Sequence, residues 1–524
     1  MAAGALKQKA ELIRKALYVF AVQYRFHIPM RVLRIHARKF MHERQNIRTY
    51  GARFFDPEDP ASYQKWLSFQ TYRKAEGSVD LTYLCADRTD VMDTSGIETE
   101  YTCFTRSDTV LYEQFGAYAE LCRDADVLYF DSDMIAGNGE RHSPCLRTDF
   151  AYDTLRAYNC IGSVWIVRTE LLKQFDGMPS DPYRFLLELS DQDLRFVHIE
   201  KILYGETRQA EDGRQSLEAY LQAHAVNASV EDRNGACKVT YALKGSPLVT
   251  VMIPTRDQKD VLERCISSVL EKTKYKNYEI LILDNGSSRQ ETLDYFSALQ
   301  KKHGNIRVIR INEPFNFSRL NNIGAEHARG EYLVLLNNDM EVIRETWMEE
   351  MLAHAQMPWA GCIGACLYYP DGTYQHAGVI SGKGGAAAHR YYHAPSDQKG
   401  YMHVLEIPDN VAAVTAACLM VNREKYLSVN GMDEALTVNY NDYDLCMRIL
   451  KKGYFNLFVP DAKLYHYESV SRGIDRSKES VSRYMKEIAL IQERWQEELL
   501  HDPFYSDSFD KNYDYRLIAG TGSN

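Results

Sequence analysis

The chain has 524 residues, 45% hydrophobic and 26% charged, which supplies cores for two or three domains rather than one. A net charge of −10 excludes a protein that coats nucleic acid, since phosphate binding needs a basic excess. Eleven scattered cysteines without C-x2-C spacing, no apolar run of the roughly 18 residues that cross a bilayer, and a start without secretory-signal order point to a reduced, cytoplasmic compartment.

Residues 1–50 hold eleven Lys or Arg against Glu11 and Glu43, with Leu12, Ile13, Leu17, Phe20 and Ala21 at helical spacing. The expectation is a basic helical arm over 1–60, either packed on its own protein or lying peripherally on an anionic membrane surface. A domain of mixed helix and strand follows over 61–225, with apolar runs at Val127–Phe130 and Ser163–Val167. Residues 226–246 close with Lys244-Gly245-Ser246-Pro247 and are expected to be a linker.

From 247 to 500 the pattern becomes regular, before a tail over 501–524. Strands are expected at 248–253, 279–283, 306–311 and 331–336, and helices at 258–272, 290–302 and 317–329. This alternation belongs to an α/β, Rossmann-like, doubly wound sheet. Ligands bind at the carboxyl ends of such strands. Here those ends carry Pro254-Thr255-Arg256, Asp284-Asn285-Gly286-Ser287 and Asn337-Asn338-Asp339. Each group taken alone is also what a turn or helix cap uses.

Their joint order carries more. Val251-Met252-Ile253-Pro254-Thr255-Arg256 is followed by Asn316-Phe317-Ser318-x-x-Asn321-Asn322, then Leu335-Leu336-Asn337-Asn338-Asp339. Next come Ala413–Val421, Asn441-Asp442-Tyr443-Asp444-Leu445 and His466–Gly473. From Val249 to Gly473 the sequence resembles glycosyltransferase family 2, in its bacterial rhamnosyltransferase-like branch that builds O-antigen, capsule and rhamnan polysaccharides.

The resemblance implies a GT-A fold and an inverting transferase acting on a nucleotide-sugar donor, either a dTDP- or a UDP-sugar. The acceptor would be a growing bacterial polysaccharide or lipid-linked glycan. It implies a donor site at Pro254, Thr255, Arg256, Asp284, Asn316, Asn321 and Asn338, with Arg472 as a secondary member. Asn337-Asn338-Asp339 takes the place of the Asp-x-Asp metal motif, with its first Asp replaced, so Asp339 and His466 would hold Mn²⁺ or Mg²⁺. Imidazole favours Mn²⁺. Asp442 matches the catalytic base, with its usual Glu partner replaced by Asn441. Asp444 stays open as an alternative base, and helix capping as an alternative role for the cluster. The branch points to L-rhamnose, with UDP-hexoses including galactofuranose also open.

His376, His389 and His393 surround Ser381-Gly382-Lys383-Gly384-Gly385, which lacks the Gly-Lys-Ser/Thr of a P-loop and is expected to be a mobile loop over the substrate. The first half resembles a degenerate second copy of the same family. Arg106-Ser107-Asp108 falls at its metal motif, putting an Arg where a cation binds. Tyr204-Gly205 replaces Tyr-His. Asp131-Ser132-Asp133, although an Asp-x-Asp by pattern, aligns with a later acidic segment. This domain is expected to scaffold, bind acceptor or form a homo-oligomer. A non-catalytic assembly subunit is the competing reading. A nucleotidyltransferase is disfavoured, because Pro254-Thr255-Arg256-Asp257 is not a glycine-rich activating loop.

Overall fold

The structure, a computed structural model, describes residues 54–74, 79–85, 96–175, 181–208, 213–467 and 477–518. Residues 1–53 of the basic arm, and Arg472, lie outside them.

The first half builds on seven strands: β1 (Leu81–Cys85), β2 (Tyr101–Thr105), β3 (Thr109–Leu111), β4 (Val127–Ile135), β5 (Arg141–Cys145), β6 (Trp165–Arg168) and β7 (Phe196–Glu206). Their order across the sheet is β1-β2-β6-β4-β7-β3, with β5 beside β4. Helices α1 (Phe115–Ala119), α2 (Thr169–Gln174) and α3 (Pro182–Ser190) accompany them. Pro182 opens α3 behind Asp181, whose carboxylate caps Tyr183 N and Arg184 N.

The second half has ten strands: β8 (Val249–Thr255), β9 (Tyr278–Asp284), β10 (Ile306–Arg310), β11 (Tyr332–Leu336), β12 (Met340–Val342), β13 (Ala360–Tyr368), β14 (Tyr374–His376), β15 (Asp409–Asn410), β16 (Cys418–Asn422) and β17 (Phe455–His466). The sheet runs β10-β9-β8-β11-β16-β13-β17-β12, with β14 beside β13 and β15 beside β17. Strands β10, β9, β8 and β11 are parallel, as the alternating pattern predicts. Strands β8, β9 and β11 are buried along their whole length, which is why they read as unbroken apolar runs. The helices are α4 (Lys259–Lys272), α5 (Gln290–Lys302), α6 (Phe317–His327), α7 (Trp347–Ala355), α8 (Arg423–Ser428), α9 (Asn441–Lys451) and α10 (Lys478–Arg494).

The two sheets share one plan. β1 pairs β2 in parallel as β8 pairs β11, and β2 meets β6 antiparallel as β11 meets β16. The antiparallel pair β6–β4 corresponds to β16–β13, and the parallel pair β4–β7 to β13–β17. Finally β3 closes on β7, and β5 on β4, as β12 closes on β17 and β14 on β13. All seven strands occur in the same chain order. Among the described residues the first sheet lacks counterparts of β9, β10 and the two-residue β15, the first two in keeping with the short run of chain before Glu100.

The span expected as a linker instead forms an antiparallel hairpin, Ala228–Arg233 with Ala236–Tyr241. Its Lys238, 4% exposed, places Nζ 2.9 Å from Glu350 and 2.6 Å from Asp461. Alternating apolar residues Cys237, Val239 and Tyr241 sit in a core cluster with residues of both halves. The tail also binds both halves, the second through the Lys383–Asp514 ion pair. Leu517–Ile518 pairs with Phe54–Phe55, and His501 lies 3.0 Å from both Asp149 and Asp507.

Candidate active site

The carboxyl ends of β8, β9 and β11 converge. Thr255 and Asp284 are neighbours in the β8–β9 ladder, and Asn338 Nδ2 donates to Thr255 Oγ1 at 3.1 Å. Pro254 and Thr255 are buried while Arg256 is exposed. Asp257 and Gln258 adopt left-handed backbone (φ 53° and 55°), which swings the chain from β8 into α4. Asp257 then accepts from Ser288 N and Arg289 N, stitching the two loops together. Both oxygens of Asp284 are engaged: Oδ1 closes a turn on Ser287 N at 2.8 Å, and Oδ2 accepts from Arg310 at 2.7 Å.

Two expected donor-site residues belong to the framework. Asn316 caps α6 by accepting from Arg319 N and donates to Glu434 O. Asn321 is fully buried within α6 and donates to Phe317 O. The Asn321 side chain, expected at the donor, has no exposed surface, and its Oδ1 has no hydrogen-bond partner among the described residues.

The antiparallel pairing of β12 with β17 sets Met340 opposite His466 and so brings Asp339 against His466 across 126 residues of chain. His466 Nε2 lies 3.3 Å from Asp339 Oδ1. Both residues are nearly buried, at 5% and 6% exposure, and among the described residues Asp339 Oδ1 and His466 Nδ1 have no hydrogen-bond partner. Buried polar atoms normally find partners. Two ligands bound at about 2.1 Å to one octahedral ion lie about 3.0 Å apart, so this pair fits a shared divalent cation.

Asp442 and Asp444 separate cleanly. Asp444 is wholly buried and accepts from Arg448 Nε (2.8 Å), Arg494 (2.5 Å) and Trp495 Nε1 (3.1 Å), which makes it a framework ion pair. Asp442 is half-buried in the first turn of α9, with Oδ2 accepting from Ala416 N at 3.1 Å and Oδ1 from Tyr443 N at 2.8 Å. Burial pushes its carboxyl pKa above the ordinary value, against the pull of those two amides. A carboxylate made more basic and still partly open is what proton abstraction asks for. Its neighbour Asn441 is buried.

The sequence pattern did not reveal what holds this carboxylate. Glu487 of α10, 2% exposed, accepts from Thr437 N and Oγ1, Val438 N, and Asn439 N and Nδ2, so it clamps the loop entering α9. Nothing local marks Glu487, because its partners lie about fifty residues upstream. The glycine-rich loop departs from the mobile lid expected of it. Lys383 pairs with Asp514, Gly384 N donates to Asn512, and a Cβ on Gly382 would meet Leu499 O at 2.1 Å. Tail residues therefore pin this loop.

In the first half, Asp108 stands just before the pair Thr109–Glu206 that opens the β3–β7 ladder, as Asp339 stands just before Met340–His466. Between the two carboxylates lies Arg106, 2.6 Å from Asp108 and 3.9 Å from Glu206. By ladder position Glu206, rather than Gly205, corresponds to His466. Asp131-Ser132-Asp133 is buried in mid-strand: Asp133 accepts from Tyr63, Tyr112 and Arg141, and Asp131 bonds Arg147 N and His198.

Residues 250–426 match the family model described as Glycosyl transferase family 2. An uncharacterised protein of Sinorhizobium fredii, y4gI, is 37% identical over 411 residues, spanning 73% of this chain and 45% of that protein. The O-antigen biosynthesis protein RfbC of Myxococcus xanthus is 31% identical over 378 residues, 68% of this chain and 29% of its own length. The N-acetylglucosaminyl-diphospho-decaprenol L-rhamnosyltransferase of Mycobacterium tuberculosis is 21% identical over 251 residues, 44% of this chain and 80% of that enzyme. The chain thus spans less than half the length of the first two relatives. With the parallel strands, the β12–β17 pair and the Asp442 helix in their expected order, the chain belongs to glycosyltransferase family 2 and carries its GT-A fold.

Proposed function

We propose that this chain transfers a sugar from a nucleotide-sugar donor to a growing bacterial cell-surface polysaccharide or lipid-linked glycan, with inversion at the anomeric carbon. The observation that carries this is the Asp339–His466 pair with its unpartnered buried atoms, on the sheet whose loop amides hold Asp442. Asp339 and His466 would hold Mn²⁺ or Mg²⁺, which supplies positive charge against the departing nucleoside diphosphate. Asp442 would take the proton of the acceptor hydroxyl, its basicity raised by burial. Pro254, Thr255, Arg256, Asp284 and Asn338 would line the donor side. L-rhamnose from dTDP-rhamnose is the first donor to test, because two relatives are named for O-antigen biosynthesis and L-rhamnosyl transfer.

The first half reads as a degenerate copy that scaffolds the second. Support comes from its matching seven-strand plan and from Arg106, whose guanidinium neutralises Asp108 and Glu206 where the second half has the Asp339–His466 pair. The helix before β7, α3, opens with Pro182 and Tyr183 where α9 before β17 opens with Asn441 and Asp442. The basic arm would hold the protein on an anionic membrane surface. Among the described residues no helix is long and apolar enough to cross a membrane.

The test is binding and turnover of a sugar-nucleotide panel including dTDP-rhamnose, with Mn²⁺ present or chelated, for wild type and Asp339→Ala. Metal-dependent turnover of one donor, lost in Asp339→Ala, is expected. If no donor is bound or consumed under any condition, the assembly-subunit reading replaces this one.

A further inference from the structure

Two histidines that the proposed chemistry leaves unused lie beside the base loop. Ala416 N donates to Asp442 Oδ2, and the preceding amide, Thr415 N, donates to His376 Nε2 at 3.4 Å. His376 is 0% exposed, and its Nδ1 lies 2.8 Å from Nδ1 of half-buried His389. The two rings meet edge to face at 85°.

This arrangement admits one assignment of hydrogens. Nε2 of His376 accepts from an amide, so it carries no hydrogen; in a neutral ring the hydrogen must then be on Nδ1. His376 Nδ1–H donates to His389 Nδ1, which leaves the hydrogen of His389 on Nε2. That second N–H has no acceptor among the described residues, and it is not among the buried unsatisfied atoms. Burial holds both imidazoles neutral, pushing His376 well below its ordinary value and His389 down to about 4.

The sheet register places the pair near the cation-binding residues. His376 is opposite Leu367 on β13, and Leu367 is opposite Leu464 on β17, two residues before His466. The register shifts between Leu367 and Tyr368, so the ladder fixes only that β14 and β17 flank the same stretch of β13; the adjacent Thr415 and Ala416 amides tie His376 to the loop that holds Asp442. A neutral N–H there suits a hydroxyl oxygen better than a diphosphate, which calls for charge.

Resting on the glycosyltransferase reading above, we propose that His389 gives its Nε2–H to a hydroxyl oxygen of the bound sugar, and that His376 is the positioning residue that holds it in that tautomer. The first test reads the tautomers directly, by long-range ¹H–¹⁵N correlation on the full chain labelled in histidine, with His376→Phe and His389→Phe for assignment. The Nδ1–H form of His376 and the Nε2–H form of His389 are expected at pH 7. The opposite tautomer, or an imidazolium, at either ring overturns the proposal.

The second test is turnover of the donor panel with Mn²⁺. Removing one neutral hydrogen bond should lower kcat/KM about tenfold in His389→Phe, while His389→Gln, which keeps a donor, should stay within about threefold of wild type. Mn²⁺ binding should be unchanged in both. In His376→Phe, kcat/KM should fall together with loss of the single His389 tautomer. Wild-type turnover by His389→Phe sinks this inference alone. Absence of donor binding and turnover by wild type sinks the glycosyltransferase reading and this inference with it.

Discussion

Exchanging each of two neighbouring aspartates for asparagine should separate chemistry from framework. Asp444 has no exposed side-chain surface and offsets two guanidiniums, those of Arg448 and Arg494, besides the Trp495 indole. Breaking a buried ion pair costs about 3–5 kcal/mol. The guanidiniums, 22% and 31% exposed, recover some hydration, so Asp444→Asn should cost about 3 kcal/mol. At about 2–4 °C per kcal/mol for domains of this size, Tm should fall by roughly 6–12 °C.

Asp442→Asn loses one amide acceptor, worth about 1 kcal/mol. Opposing that loss, the raised carboxyl pKa means that the folded state disfavours the charged form. Stability from this group is greatest below the unfolded Asp pKa and falls as pH rises through the higher folded value, so at neutral pH removing the charge relieves a penalty. The net change should stay within about 1 kcal/mol. Turnover should nonetheless drop by about 10²–10⁴, the usual contribution of a general base. Thermal unfolding and donor turnover on both variants check this. An active, stable Asp442→Asn beside a stable, inactive Asp444→Asn would refute the assignment.

Three further outcomes are expected. Asp339→Ala and His466→Ala should each weaken Mn²⁺ binding at least about tenfold by calorimetry, since each removes one of the two proposed ligands. Arg106→Ala should destabilise the chain by leaving Asp108 and Glu206 as facing buried carboxylates, and millimolar Mn²⁺ or Ca²⁺ should restore part of the lost Tm; no loss of Tm would refute the neutralising role. His501, hydrogen-bonded to Asp149 and Asp507, is raised to about 10. Its contribution is therefore complete below the unfolded histidine value of about 6.5 and fades as pH climbs toward 10, so limited proteolysis of the tail should quicken over that range in wild type but not in His501→Phe.

Periodicity and strand-end chemistry made much of the second half legible. Strands β8, β9, β10 and β11 and helices α4, α5 and α6 fall within a few residues of their expected spans, because buried parallel strands must be continuously apolar and the helices between them amphipathic. Asp339 stands at an expected strand end and Asp442 at an expected helix start, but it is the family resemblance that nominates these two residues and His466. The hairpin at 228–241 was not legible, since its short alternating strands resemble a polar connection until α7 and β17 cover them.

What the amino-acid order determined by itself was which chemical groups stand at the ends of the elements. Only the tertiary structure decided which partners each group meets, because those partners lie far away in the chain. Arg494 claims Asp444 and leaves Asp442 to the base loop; β12–β17 pairing joins Asp339 to His466; Thr415, beside the amide that holds Asp442, sets the tautomers of His376 and His389. A carboxylate's or imidazole's proton affinity follows from burial and nearby charge, and neither is written in local sequence.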